Sequence, residues 1–381
     1  MTHVYLDHNA TTPLDERVLE AMLPYMRQQY GNASSRHELG TAARKAIDRA
    51  REQVAALVKV QPAQVVFTSG GTEANNLFIR GGAGYLRPSQ IAISAIEHPC
   101  VARPAQELAR LGWTVRKLAV TRDGEIDLSD VADALKQPTG LVSVMLANNE
   151  TGVIQDVPAV ARLARTARAW MHTDAVQALG KIDVDFEALN VHAMTISAHK
   201  IYGPKGAGAL VVDKRIELKP LIAGGGHERG MRSGTENVPA IVGFGAAAEV
   251  AAGRIAAIAE RVAKLRARLE QGLHEAGATI FGERARRIAN TTYFAFQRID
   301  GETLVVELDK LGFAVAAGAA CSSANTEPSA TLIAMGVEPE LARGAVRLSL
   351  GAQNTTEQID GFVKTVQALA KRLRGLTAMT I

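Results

Sequence analysis

From Val65 onward, short apolar runs alternate with stretches of helical periodicity, and this alternation limits the possible folds more than any other feature of the chain. Val65-Val-Phe-Thr reads as a buried strand, Ser69-Gly-Gly-Thr as a turn, and Glu73 onward as the opening of a helix. Ile91-Ala-Ile-Ser is strand-like, Val101 to Leu111 helix-like, and Thr114-Val-Arg-Lys-Leu and Leu141-Val-Ser-Val-Met-Leu strand-like again. A helix from Val157 to Ala169 leads into Trp170-Met-His-Thr-Asp. Strands joined by helical crossovers predict an α/β fold, a mostly parallel sheet with helices on both faces and ligands at the carboxyl ends of the strands. An amphipathic helix, Thr41 to Val58, precedes this unit. Past about Ala251 the texture shifts to a long helix, Ile255 to Ala276, and to shorter strands around Thr291-Thr-Tyr-Phe-Ala-Phe and Ala345-Val-Arg-Leu-Ser-Leu. The expected organisation is a large domain over 13–250 and a small α+β domain over 251–381, joined by the N-terminal segment 1–12.

With 47% hydrophobic and 22% charged residues, the 381-residue chain has the composition of a globular protein. The net charge of +4 suits an anionic ligand, but Lys and Arg are scattered, so nucleic-acid binding is not indicated. Cys100 and Cys321 are the only cysteines; they exclude a disulfide framework or a four-thiolate metal site and fit a reducing compartment. The first residues do not read as a secretory signal, and the apolar stretch Val238 to Ala248 stops at Glu249, too short for a membrane helix. The expected location is the cytoplasm.

Lys200 is the most informative residue. It follows an apolar strand and precedes a Gly/Pro-rich loop, so its amine is expected at a strand end. Partial burial there would favour the neutral, nucleophilic form needed to attack an aldehyde, whereas most lysines are solvated. Asp174, after another strand, is placed to pair with a protonated pyridine nitrogen or to cap a helix. Gln177 is within reach of the same ring. Ser69-Gly-Gly-Thr-Glu offers a glycine turn at a helix start, where a phosphate is favoured, without the spacing of a nucleotide P-loop. His98 is suited to stacking on an aromatic cofactor and moving protons, or to a packed or capping role. Cys321 lies among small residues that allow a thiol close to a substrate; Cys100, at a probable helix start, reads as a packing residue. Arg347, between apolar neighbours on a strand, is expected to hold either a substrate carboxylate or an internal acid.

Together these segments resemble the cysteine desulfurases of class V, fold-type I pyridoxal-phosphate enzymes, in the branch that supplies sulfur for iron–sulfur clusters. The resemblance spans nearly the whole chain, through Tyr5-Leu-Asp-His-Asn-Ala-Thr-Thr-Pro, Ser34-Ser-Arg-His, Phe67-Thr-Ser-Gly-Gly-Thr-Glu-Ala-Asn-Asn, Glu97-His-Pro and Asn148-Asn-Glu-Thr-Gly. It continues through His172-Thr-Asp-Ala-Val-Gln, Ser197-Ala-His-Lys-Ile-Tyr-Gly-Pro-Lys-Gly, Gly224-Gly-Gly-His-Glu-Arg-Gly-Met-Arg-Ser-Gly-Thr, Cys321-Ser-Ser and Arg347-Leu-Ser-Leu-Gly. It implies a fold-type I transferase with a mostly parallel seven-stranded sheet and a smaller α+β domain. Pyridoxal 5′-phosphate is the implied cofactor, with Lys200 resembling the Schiff-base lysine and His98 the stacking, proton-moving histidine. Asp174, Gln177 and Asn149 resemble the ring-binding set, and Gly71, Thr72, Ser197 and His199 the phosphate cup. Thr235 is similar to a residue that reaches the phosphate across a dimer interface, implying a homodimer with shared sites. Arg347, with Asn32 and Asn149, resembles the substrate-binding set, and Cys321 the nucleophile that takes sulfur from L-cysteine, leaving alanine. The implied partner is a sulfur acceptor or iron–sulfur scaffold protein; Cys321 is a transient cluster ligand at most, and no permanent metal is implied. The stretch after Gly351 is shorter than the extension with which some relatives dock a scaffold, so that partner is left open. Selenocysteine lyases and aminotransferases share the scaffold; Cys321 argues against an aminotransferase, which needs no thiol nucleophile.

Overall fold

The computed structural model describes residues 3–318 and 327–378. A short strand β1 (Val4–Tyr5) is followed by β2 (Val65–Thr68), β3 (Gln90–Ser94), β4 (Thr114–Leu118), β5 (Thr139–Ser143), β6 (Trp170–Asp174), β7 (Ala193–Ser197) and β8 (Gly208–Val212). Strands β9 (Thr279–Ile280), β10 (Thr291–Ala295), β11 (Phe313–Ala314), β12 (Ala316–Ala317) and β13 (Val346–Ser349) come later in the chain. The large sheet has seven strands in the order β2-β8-β7-β6-β5-β3-β4. Only β8 runs against its neighbours, pairing antiparallel with both β2 and β7. The other pairings are parallel, as the helical crossovers predict.

Helices cover both faces, so β2, β3, β7 and β8 are buried along their whole length and read as continuous apolar runs. Helix Val238–Ala252 is apolar all round because it is buried among helices Glu16–Arg27 and Glu38–Leu57. Its Gly245 lets two backbones touch: a Cβ there would meet Ala50 Cα at 2.6 Å. Among the described residues no single helix is long and apolar enough to cross a membrane.

A second core gathers Leu6, Val262, Leu265, Leu269, Leu273, Phe294 and Phe362. Helix Ile255–Glu275 presents Val262, Leu265, Leu269 and Leu273 at intervals of three and four and lies against helix Thr356–Ala378, where Gly272 would clash with Val363 if it carried a side chain. Strands β12, β13, β10 and β9 form an antiparallel sheet. The N-terminal segment belongs to this layer. β1 pairs with β11, and Asp7 bridges to Ser349 at the end of β13.

Two expected boundaries shift. β5 ends at Ser143, not Leu146; past it Val144 and Leu146 still donate to the His172 and Asp174 carbonyls of β6, while Met145 and Ala147 line a cavity. The helix expected from Glu73 opens two residues earlier, at Gly71. That shift brings the first backbone N–H groups of the helix to the edge of the same cavity.

Candidate active site

At the carboxyl ends of the parallel strands lies a cavity of about 360 Å³, within the range of small-molecule sites. It is lined by Gly71, Thr72, His98, Asn149, Asp174, Gln177, Ser197, His199, Lys200 and Arg347, ten residues singled out in the sequence. Each arrives for a topological reason. β6 ends in Asp174 and its following turn carries Gln177; β7 ends in Ser197, and a single 3₁₀ turn, Ala198–Lys200, presents His199 and Lys200. His98 caps helix Pro99–Leu108, and Arg347 enters from β13 of the second core.

The phosphate end is built from backbone. Gly70 adopts φ 157° and ψ −179°, a conformation essentially restricted to glycine, and turns the chain into helix Gly71–Tyr85. A Cβ on Gly71 would lie 2.9 Å from Val176 Cγ2, so only glycine lets the helix start close against the turn after Asp174. The fully buried Ser197 Oγ has no hydrogen-bond partner. A helix N-terminus of 15 residues and an unpaired hydroxyl together fit an anionic phosphate.

Asp174, 6% exposed, is held by two donors: Asn75 Nδ2 at 2.7 Å and the Val176 N–H at 2.9 Å. One oxygen caps the following turn while the carboxylate lines the cavity. Lys200 Nζ donates to the carbonyls of Asn9 at 2.5 Å and Ala10 at 2.7 Å. His98 Nδ1 accepts the Cys100 N–H at 3.2 Å, which assigns the ring proton of the neutral imidazole to Nε2. Burial holds the His98 pKa below its usual value, assisted by the positive charges of Lys200, Arg103 and Arg347 and opposed by Asp174. Burial, with Lys200 and Lys205, pushes His199 down to about 4.

Arg347 also combines two expectations. Nη2 donates to Asp7 Oδ1 at 2.7 Å and Nη1 to the Asn149 carbonyl at 3.1 Å, while the buried Nε has no hydrogen-bond partner. An internal acid is present, and a donor remains for a carboxylate.

Two expected residues are not brought into the cavity by this chain. Asn32 is exposed, with Oδ1 accepting the Ser34 N–H, and Thr235 is exposed. Cys321 lies outside the described residues. The described chain on either side of it is anchored near the cavity. Ala316 pairs with Arg347 across β12 and β13, and Ser329 and Thr331 bond to Glu150, next to Asn149.

Seven further residues line the site, among them Asn9, Asn75, Cys100 and Met145. Asn75 was accessible from helical spacing, one turn after Gly71 and Thr72. Cys100, expected as a packing residue at a helix start, stands there and also lines the cavity. Its Sγ is 2.8 Å from His98 Nδ1 and 3.0 Å from Asn75 Nδ2, and burial beside Asp174 pushes the thiol up to about 12, so it stays protonated.

Comparison with known proteins agrees with this geometry. The family model for Aminotransferase class-V matches residues 4–362. The cysteine desulfurase IscS of Anaeromyxobacter sp. (strain Fw109-5) is 44% identical over 384 residues, covering 99% of this chain and 94% of that protein. A solved structure described as a NifS-like protein superposes with a TM-score of 0.92 at 38% identity, covering 97% of this chain and all of that one. The structure described as SspA in complex with cysteine gives 0.81 at 32% identity, covering 91% of this chain and 98% of that one. A glycine turn at a helix start, a carboxylate and an amine at one sheet edge, with full-length similarity of this extent, mean that the chain belongs to the class-V aminotransferase family and, within it, to the cysteine desulfurases.

Proposed function

We propose that the protein removes sulfur from L-cysteine with pyridoxal 5′-phosphate held in the cavity around Lys200, releasing alanine and carrying the sulfur on Cys321. The observation that carries this reading is the convergence of Lys200, Asp174 and the Gly71 helix start on one cavity. When bound, the cofactor supplies an electron sink for negative charge developing at the substrate's α-carbon.

The protein's own residues do the rest. Gly71, Thr72, Ser197 and His199 would hold the phosphate, and Asp174 the ring nitrogen, with Gln177 and Asn149 beside the ring. Lys200 Nζ would hold the cofactor's aldehyde and would accept the α-proton of the substrate. His98 would stand beside the ring and take part in proton transfer. Arg347 grips the substrate carboxylate, with Asp7 fixing the guanidinium plane. Attack by the Cys321 thiolate on the substrate sulfur forms an S–S bond as the C–S bond breaks; that electron pair stays with carbon, which is protonated to give alanine.

The described residues on either side of the segment that contains Cys321 support this role, because Ala316 pairs with Arg347 and Ser329 and Thr331 bond to Glu150, next to Asn149. A homodimer with Thr235 reaching a neighbouring phosphate, and a sulfur-accepting protein as partner, complete the proposal. SspA, at 32% identity, was solved with cysteine, which supports cysteine as substrate.

The test is incubation of the protein with pyridoxal phosphate and L-cysteine while alanine, sulfide and cofactor absorbance are followed. Lys200→Ala is expected to lose the absorbance of lysine-bound cofactor, whereas Cys321→Ser keeps it and releases no sulfide. Sulfide release by Cys321→Ser at the parent rate would contradict the role of Cys321.

A further inference from the structure

Lys181 has no part in the chemistry above, yet it sits beside it. The turns after β6 place Asp174, Gln177 and Lys181 in succession. Gly180 draws this segment tightly against the Lys200 turn: its φ is +72°, and a Cβ would meet Ile201 Cγ2 at 2.5 Å. Lys181 Nζ donates to Gln177 Oε1 at 2.7 Å and to Asn9 Oδ1 at 2.8 Å. Both acceptors are neutral amides, and among the described residues Lys181 has no ion pair. Asn9 joins the two lysines, since its side-chain oxygen accepts from Lys181 and its carbonyl from Lys200 and from Gln177 Nε2.

This arrangement determines which way Gln177 faces. A lysine ammonium is only a donor and a carbonyl only an acceptor, so Oε1 must point to Lys181 and Nε2 to Asn9 O. The cavity is thereby offered an amide donor. Other charged or titratable groups around Lys181 are Lys200 and Arg347, the imidazole of His8, and Asp15, Tyr202 and Arg254 across a second cavity of about 250 Å³. Burial, then Lys200 and Arg347, press the Lys181 pKa well below its usual value, and the same repulsion acts in reverse on Lys200.

We propose that Lys181 is a positioning residue: it fixes Gln177 as a donor toward the cofactor, and its place beside Lys200 in one hydrogen-bonded cluster discourages a proton on the Lys200 nitrogen. A neighbouring cation is a recognised means of keeping a reactive lysine neutral. The inference rests on the proposed cofactor, and its test separates the two.

Parent, Lys181→Met, Lys181→Gln and Lys181→Arg are loaded with pyridoxal phosphate, and the absorbance of the bound cofactor is titrated against pH without substrate. Removing the charge in Lys181→Met and Lys181→Gln is expected to raise the titration midpoint by about one pH unit, because protonation is no longer opposed. Lys181→Arg stays near the parent. Cofactor affinity falls in Lys181→Met, which loses the donors, and less in Lys181→Gln, which keeps an amide donor. A purely structural role would lower the melting temperature and leave the midpoint where it was. Midpoints for the methionine and glutamine variants equal to the parent's would overturn the inference alone. Failure of the parent to take up pyridoxal phosphate would overturn it together with the proposed function.

Discussion

The two walls of the cavity are built in opposite ways. The wall of Gly71, Asp174, Ser197 and Lys200 comes from the ends of β6 and β7 and the turn after β2, all within one mostly parallel sheet. The opposite wall joins the N-terminal segment to β13 through the Asp7–Arg347 pair, which spans 340 residues of sequence. The first wall is rigid because every strand under it is buried. The second depends on polar contacts between distant segments. A sheet edge can therefore fix a cofactor, while the layer that closes over it sets what is bound beside it.

If that division is right, changes on the two walls have different kinetic signatures. Asp174→Asn, on the sheet side, keeps an oxygen for the Val176 N–H but loses the acceptor of Asn75 Nδ2 and removes the charge facing the cavity. Its kcat is expected to fall by about 100-fold or more with cofactor still bound, measured as alanine formed under saturating cysteine. A fall confined to KM would break the comparison. Arg347→Lys, on the opposite wall, loses the planar fork shared between Asp7 and the site. KM for cysteine is expected to rise about tenfold with kcat changed less, read from initial rates across substrate concentrations.

The smallest effect concerns the sheet beneath both walls. His172, buried on β6 between Ser143 Oγ and Thr195 Oγ1 and stacked on Phe78, is pushed down to about 3 by burial. The folded protein thus binds fewer protons than the unfolded chain between pH 6.5 and 3. Stability from this residue is complete above pH 6.5 and declines as pH falls through that window. Between pH 7 and 5.5 the loss should be about 1 kcal/mol, measured by urea unfolding, and His172→Gln should flatten that part of the slope.

Much of the sheet-side wall was legible in the sequence because each residue follows an apolar run whose period announces a strand end, as with Val65–Thr68 before Gly71 and Ala193–Ser197 before Lys200. Neighbouring residue types then limited the chemistry. Arg347 was legible only as a choice between a substrate and an internal acid, since its Asp7 partner is chosen by the pairing of β1 with β11. Asn9, Cys100 and Lys181 escaped for the same reason. Their meaning lies in hydrogen bonds to residues brought near by the fold, such as Lys181 and Lys200 meeting through Asn9. The small shift of the helix start to Gly71 followed from tertiary packing on Val176, which local propensity does not encode.

With two lysines tied to one asparagine, the identity of the reactive amine is the central claim. The protein loaded with pyridoxal phosphate is reduced with borohydride, which makes the cofactor's bond to the protein permanent, and is then digested and mapped by mass spectrometry. The cofactor mass should fall on Lys200 alone; its recovery on Lys181, or on any other lysine in place of Lys200, would contradict the account.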